Sequence, residues 1–256
     1  MVMQGSQLVC RVAAVLRRVG SGAAEGVTTA EVAAATGLPR STAQRLLAAL
    51  AEEGFVDRDT GRGRWCLGPE MFLLGSVAAE RYDVTSTARD ILRSLAERTG
   101  ESAFFSARRG TETVCLAGVE GSFPLRSHVL HEGIRFPLGV ASAGLALLAY
   151  LPVPDAQAYL AGRGAELAAA YGAPHEGAPL ARRLKATRRR GYAVNPGLIV
   201  PGSWGVGAVV FDRTGSPAWA LSLTGVESRF NGERTAWLGA LLLEAAHALT
   251  RRLARR

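Results

Sequence analysis

Cysteine is scarce in this chain, and its few cysteines make neither a metal site nor a disulfide scaffold. Cys10, Cys66 and Cys115 are the only three, far apart and odd in number, with no CxxC among them. That spacing excludes a zinc site and a disulfide framework, and it fits free thiols in a reducing compartment. No pair of histidines with a nearby carboxylate has ligand spacing either, so neither metal nor cofactor is expected. Long apolar runs are missing too: the longest, near 143–151 and 236–243, are too short to span a bilayer. With no charged-then-apolar leader at the start, the expectation is a cytoplasmic protein with no membrane partner. Lysine is nearly absent, with Lys185 alone against 29 arginines, which reflects codon bias more than chemistry. No internal repeat or low-complexity tract stands out.

What is present is ordinary globular composition, 48% hydrophobic and 20% charged over 256 residues, enough for two domains with a core each. The net charge of +8 suits a polyanionic partner. Residues 1–68, however, hold eight arginines against six carboxylates, so the bulk charge does not single out that segment. The positions of individual arginines have to carry the argument.

The rest of the chain is organised around residues 27–54, which read as two short helices and a tight turn. Thr28 with Glu31 makes a capping box, and Val27 with Val32 a hydrophobic staple. The first helix buries Val32, Ala33 and Ala35 and stops at Gly37. Pro39 suits the start of a second helix, for which Ser41 and Gln44 offer an overlapping capping box. In that helix Ala43, Leu46, Leu47 and Leu50 form one apolar stripe, while Arg40, Ser41, Thr42, Gln44 and Arg45 crowd the first turns off it. This is the pattern of a helix-turn-helix. The alternating stretch 55–59, the turn TGRG at 60–63 and the return strand 64–67 add the hairpin of a winged helix. Arg62 and Arg64 near its tip are candidates for phosphates or a minor groove. A helix over 6–19, with Leu8, Val9, Val12, Val15, Leu16 and Val19 on one face, packs behind the pair.

Beyond Gly68-Pro69 the spacing predicts an apolar helix over 70–81 carrying Met71, Phe72, Leu74 and Val77, placed to pair with its copy in a second subunit. Residues 83–99 form another amphipathic helix. The period then changes to strands at 102–108, 113–118 and 125–130, followed by helices at 141–150, 156–160 and 180–190. Further strands fall at 192–195, 206–212 and 219–225, and a helix over 234–255 closes the chain. The fold class is therefore α+β, an antiparallel sheet with helices before, between and after it. On the last strand the alternation at 221–224 puts the hydroxyls of Ser222 and Thr224 on one face, suited to a carboxylate or carbonyl.

These residues now suffice for a resemblance. GLPRSTAQRLL at 37–47, GFVDR at 54–58 and LGP at 67–69 are similar to the IclR-type bacterial transcriptional regulators. So are LAERTGE at 95–101, FPL at 136–138, Ala143-Gly144, RRGY at 189–192, VFD at 210–212 and ALSLTG at 220–225. The matches run in order from about residue 6 to 250. The resemblance implies a winged helix-turn-helix over 1–68, a linker helix over 69–82 and a GAF-like effector-binding domain over 83–256. It implies homodimers or dimers of dimers on a palindromic double-stranded DNA operator, repressing, or in the alternative activating, in response to a small molecule. The DNA contacts expected are Thr29, Arg40, Ser41, Thr42, Gln44, Arg45, Arg62 and Arg64. Carried over by position, the effector walls are Leu125, His128, Phe136, Ser142, Ala143, Asn195, Ser203, Gly205, Ser222 and Thr224. Three departures make the site less polar than is usual in the family: Leu145 replaces a common lysine, Asn195-Pro-Gly-Leu198 a common acidic pair, and the loop 200–205 adds Trp204. They point to a bulkier, partly apolar organic acid.

An enzymatic alternative is weaker. Residues 140–144, VASAG, resemble a nucleophile elbow without its first glycine, but no histidine near Ser142 has a recognisable context. The glycines 202, 205 and 207 have dinucleotide-like spacing in reverse, with a strand after them rather than a helix.

Overall fold

A computed structural model describes residues 4–81, 84–125 and 127–255. The chain divides into two compact units, Met1–Tyr82 and Asp83–Arg256. No helix among the described residues is long and apolar enough to cross a membrane.

The first unit runs α1 (Gln4–Gly20), α2 (Thr29–Thr36), α3 (Arg40–Glu52), β1 (Val56–Asp59), β2 (Arg64–Leu67) and α4 (Pro69–Arg81). The capping box that opens α2 is formed: Thr28 Oγ1 accepts from Glu31 N, and Glu31 Oε2 accepts from Thr28 N at 2.7 Å. Gly37, in the left-handed region at φ 67°, closes α2 and donates to Ala33 O. Val15, Val19, Val27, Val32, Ala43, Leu47, Leu50, Val56 and Trp65 make the core. β1 and β2 pair antiparallel, and Val27 bridges Trp65, fastening the hairpin to the segment before α2. Three details differ from expectation. Ala35 is exposed, as are Leu8 and Val9, at 54% and 67%. The Ser41–Gln44 box does not form, because Pro39 occupies the cap position of α3 and the Gln44 amide is engaged elsewhere.

In the second unit α5 (Val84–Thr99) leads into β3 (Ser102–Arg109), β4 (Glu112–Val119) and β5 (Arg135–Pro137). Then come α6 (Ser142–Ala149), α7 (Val153–Tyr171), α8 (Gly177–Arg190), β6 (Ala193–Pro196), β7 (Ser203–Phe211), β8 (Pro217–Val226) and α9 (Gly232–Ala254). The strands build one six-stranded antiparallel sheet in the order β5-β4-β3-β8-β7-β6. Strand alternation splits its side chains between two cores. Phe105, Val206, Leu221 and Leu223 meet α5 and α9 on one face. Phe104, Val209 and Ala220 meet α6, α7 and α8 on the other. An ion cluster around a buried carboxylate fixes the start of β3: Glu101, its side chain 1% exposed, accepts from the partly exposed Arg229 and Arg234 at 2.6 and 2.9 Å.

Two sequence expectations fail here. Leu125 and residues 127–130 are not a strand, because the free edge of β4 is taken by β5 (Val114 pairs Arg135, Glu112 pairs Pro137) and the approach to it is loop; Arg126, which the expectation included, lies outside the described residues. The helix expected over 156–160 runs on through Tyr171, past Gly162 and Gly164. Gly164 is there for close approach, since a Cβ built on it would lie 3.3 Å from Gly177 N at the head of α8.

Candidate functional site

Each unit carries one candidate site. In the first unit the site is the outward face of α3. Arg40, Ser41 and Arg45 are exposed, Thr42 and Gln44 half-buried, and no acidic residue stands in the first turn. No side chain caps that helix end, so its first N–H groups remain available for an anion. Gln44 is held rather than loose. Its Oε1 accepts from Thr29 Oγ1 at 2.9 Å, and the same hydroxyl accepts from Trp65 Nε1 at 3.0 Å. Because Trp65 is 3% exposed in the core, Gln44 on α3 is braced through Thr29 on α2 to β2.

The two wing arginines are placed differently. Arg62, 71% exposed, sits on the turn, which Asp59 Oδ1 shapes by accepting from Gly61 N and Arg62 N. Arg64 turns back: its Nε and Nη2 donate to Gly26 O at 3.2 and 3.1 Å, and it pairs with Glu31 at 3.4 Å. Hydrogen bonds from the Thr28 backbone and side chain hold the Glu31 carboxyl below its usual range; burial opposes them, and Arg64 and Arg18 add smaller lowering contributions. Arg64 therefore ties the wing to the head of α2.

In the second unit a cavity of about 20 Å³ lies between the head of α6 and the near ends of β6, β7 and β8. Ser142, Asn195, Ser203, Gly205 and Thr224 line it, with Val129, Leu130, Ala141, Ile199 and Trp204. Two glycines of β7 make it possible. A Cβ at Gly207 would lie 2.5 Å from Ser142 O, and one at Gly205 would lie 3.1 Å from Ser142 Oγ, inside the space itself. No side chain caps α6, whose first intrahelical bond is Leu145 N to Ala141 O. Asn195 is committed, donating to Val140 O at 2.8 Å and accepting from Leu198 N at 2.9 Å. The Thr224 and Ser222 hydroxyls are sealed from solvent with no hydrogen-bond partner. A buried hydroxyl in that condition costs about 1–3 kcal/mol, and an arriving acceptor would recover it.

Not all the expected effector residues meet there. Leu125 is 64% exposed and lines no described cavity. His128 lines a separate open depression of about 490 Å³ that shares Val129 and Ser203 with the buried cavity. Ser127 and Ser203 hydrogen-bond through their hydroxyls at this shared wall. Phe136 and Ala143 are buried in the core around α6, and Ser222, fully buried on β8, is not among the residues lining the cavity. Sequence reading missed Val129, Leu130, Ala141 and Ile199. Trp204 it noted as an added aromatic without placing it in the wall. No histidine among the described residues bonds Ser142; the buried His175 donates from Nδ1 to Tyr171 O at 2.9 Å instead.

Comparison with known proteins gives consistent results for both units. Residues 9–60 match the IclR helix-turn-helix domain. Residues 76–251 match the bacterial transcriptional regulator IclR C-terminal domain. The glycerol operon regulatory protein of Streptomyces coelicolor is 30% identical over 94% of this chain and 94% of its own length. The transcriptional repressor IclR of Escherichia coli is 28% identical over 88% of this chain and 82% of that protein. Among solved structures, an IclR transcriptional regulator from Alicyclobacillus acidocaldarius superposes with a TM-score of 0.76 at 28% identity, covering 95% of this chain and 97% of that one.

Proposed function

From the premise that the chain belongs to the IclR family of bacterial transcriptional regulators, and so is a ligand-responsive DNA-binding protein rather than an enzyme, we propose that it is a cytoplasmic repressor. In this reading residues 1–68 bind the operator, 69–82 link, and 83–256 bind the effector. The observation that carries the DNA half is the bracing of Gln44. A recognition side chain held before contact loses less entropy on binding, and its amide suits a base edge. Gln44 and Arg45 read bases, Ser41 and Thr42 meet bases or phosphates, and Arg40 and Arg62 meet the backbone or a minor groove. Thr29 acts by holding Gln44, and Arg64 by holding the wing. The apolar side chains Phe72, Leu73, Leu74 and Val77 on α4, 50–76% exposed, are the surface for a second copy, which a palindromic operator requires.

The effector is an organic acid with an apolar body. Its carboxylate would take the unpaired hydroxyls of Thr224 and Ser222 and the amides at the head of α6. Its body would rest on Leu130, Ile199 and Trp204. A cavity of about 20 Å³ holds about one water, so binding requires the wall at Ser127 and Ser203 to open. Differential affinity for the opened arrangement is then the coupling free energy that changes operator binding. Fluorescence anisotropy with the DNA flanking the protein's own gene tests the first half, and release of that DNA by added effector supports repression. An effector that tightens the complex would favour the activator reading. A thermal-shift screen tests the second half, and a response to small hydrophilic acids alone would sink the apolar body.

A further inference from the structure

Away from the head of α6 the second unit holds another cavity, of about 340 Å³. Arg182, Arg183 and Arg190 line it from α8 together with Pro179, and Leu145 of α6 and Val194 of β6 complete the wall. It shares no lining residue with the cavity at Ser142 and Thr224. Arg183 is the unusual member. Its Nε and Nη2 are sealed from solvent with no acceptor, and its one described hydrogen bond, to Gly139 O, is long at 3.4 Å. No carboxylate among the described residues pairs with any of the three arginines. Burial pushes Arg183 down to about 10, so it stays protonated at neutral pH. His175, next to the lining residue Pro174, offers no counter-charge: burial first, and then Arg183, hold it below its usual range, where it is neutral.

A protonated guanidinium out of water without an anion is costly, and removing a partner from such a charge is what normally produces the condition. The missing partner is an acceptor, and Arg183 lines the neighbouring cavity, into which a shift of its side chain would present those nitrogens. We propose that this cavity is a second ligand site that binds an organic oxyanion, a carboxylate or a phosphate ester with a small apolar body. A guanidinium meets both head groups with paired N–H donors. Arg182 and Arg190 add positive charge at the mouth, and Leu145, Pro179 and Val194 take the body. The volume falls in the range of small-molecule pockets, about 300–1,000 Å³. This inference stands whether or not the pocket at α6 is the effector site, because it uses none of its residues.

Isothermal titration of the full chain with benzoate, phenyl phosphate and neutral benzamide tests it. Saturable binding of at least one anion and none of benzamide is expected, and which anion binds decides the head group. Arg183→Gln should weaken that binding at least tenfold and should melt no lower than the parent in buffer without organic anions, since it removes an unpaired charge. Should that variant fail to fold, the exposed pair Arg182→Gln with Arg190→Gln should still weaken binding severalfold. Thr224→Val should leave it unchanged. Absence of anion binding, binding that survives the arginine changes, or binding lost in Thr224→Val overturns the proposal.

Discussion

In the unit 1–82 the groups that matter face outward from a small core. In the unit 83–256 they face inward from a large one. Arg45 and Arg62 stand in solvent, and Gln44 is steadied by Thr29 and Trp65 beneath it. Ser142, Ser222 and Thr224 are each buried within a sheet-and-helix layer, and two of their hydroxyls lack any partner. A surface that reads a rigid duplex needs donors fixed before contact. A pocket that responds to a metabolite needs polar groups left wanting until it arrives. The contrast predicts opposite consequences when side chains are removed from the two units.

The largest effects should be structural and confined to one unit each. Glu101→Ala leaves Arg229 and Arg234, each about a quarter exposed, with Thr99 O as acceptor but no carboxylate, and should cost about 1–3 kcal/mol. Leu47→Ala, which empties a fully buried position in the first core, should cost about 2–5 kcal/mol. Hydrogen exchange read by mass spectrometry should show each loss of protection in its own unit. Spread of either across both would end the comparison.

Changes on the DNA face come next. Gln44→Ala should relax preference at one operator position by about 1–3 kcal/mol, while Arg62→Ala should weaken all sequences alike and lower the salt slope by about one. Uniform loss for both would erase the division between base reading and backbone contact. Thr29→Val should imitate a part of Gln44→Ala, about 1 kcal/mol, because it frees the amide and removes the acceptor of Trp65 Nε1. Unchanged operator preference in that variant would show that the brace does nothing for recognition.

The smallest losses of stability should lie in the pocket, and they sharpen the contrast most. Thr224→Val in the cavity wall and Ser222→Ala beside it remove hydroxyls that have no partner, so without ligand they should not lower stability by more than about 0.5 kcal/mol and should raise it by up to the roughly 1–3 kcal/mol that an unpaired hydroxyl costs. Both should nevertheless weaken an organic acid found by thermal shift. A clear loss of stability without ligand would mean that these hydroxyls are already satisfied.

The sequence was more legible for elements set by local signals than for places where several elements converge. The period of α2 and α3, the Thr28–Glu31 box and Gly37 are local signals, so the helix-turn-helix and its exposed residues follow from them. Arg64 shows the limit even there, because nothing near it in sequence announces the carbonyl of Gly26. The pocket draws on a loop, a helix head and three strands between residues 129 and 224, a convergence that no local pattern encodes. Family position supplied Ser142, Asn195, Ser203, Gly205 and Thr224. It could not supply Ile199 or Leu130, which lie in loops, and it placed Leu125 inside where the structure has it out. Alternation misread Leu125 and residues 127–130 as strand for the same reason: a strand exists only where an edge is open to it.

The most direct test is the affinity of the purified full chain for its own upstream DNA, set against a scrambled duplex across a salt series, for the parent and for Gln44→Ala with Arg45→Ala. The account predicts that the parent prefers its upstream sequence, whereas the double variant retains salt-dependent binding but treats both duplexes alike. A parent that ignores both duplexes at low salt, or a double variant that keeps the full preference, would contradict it.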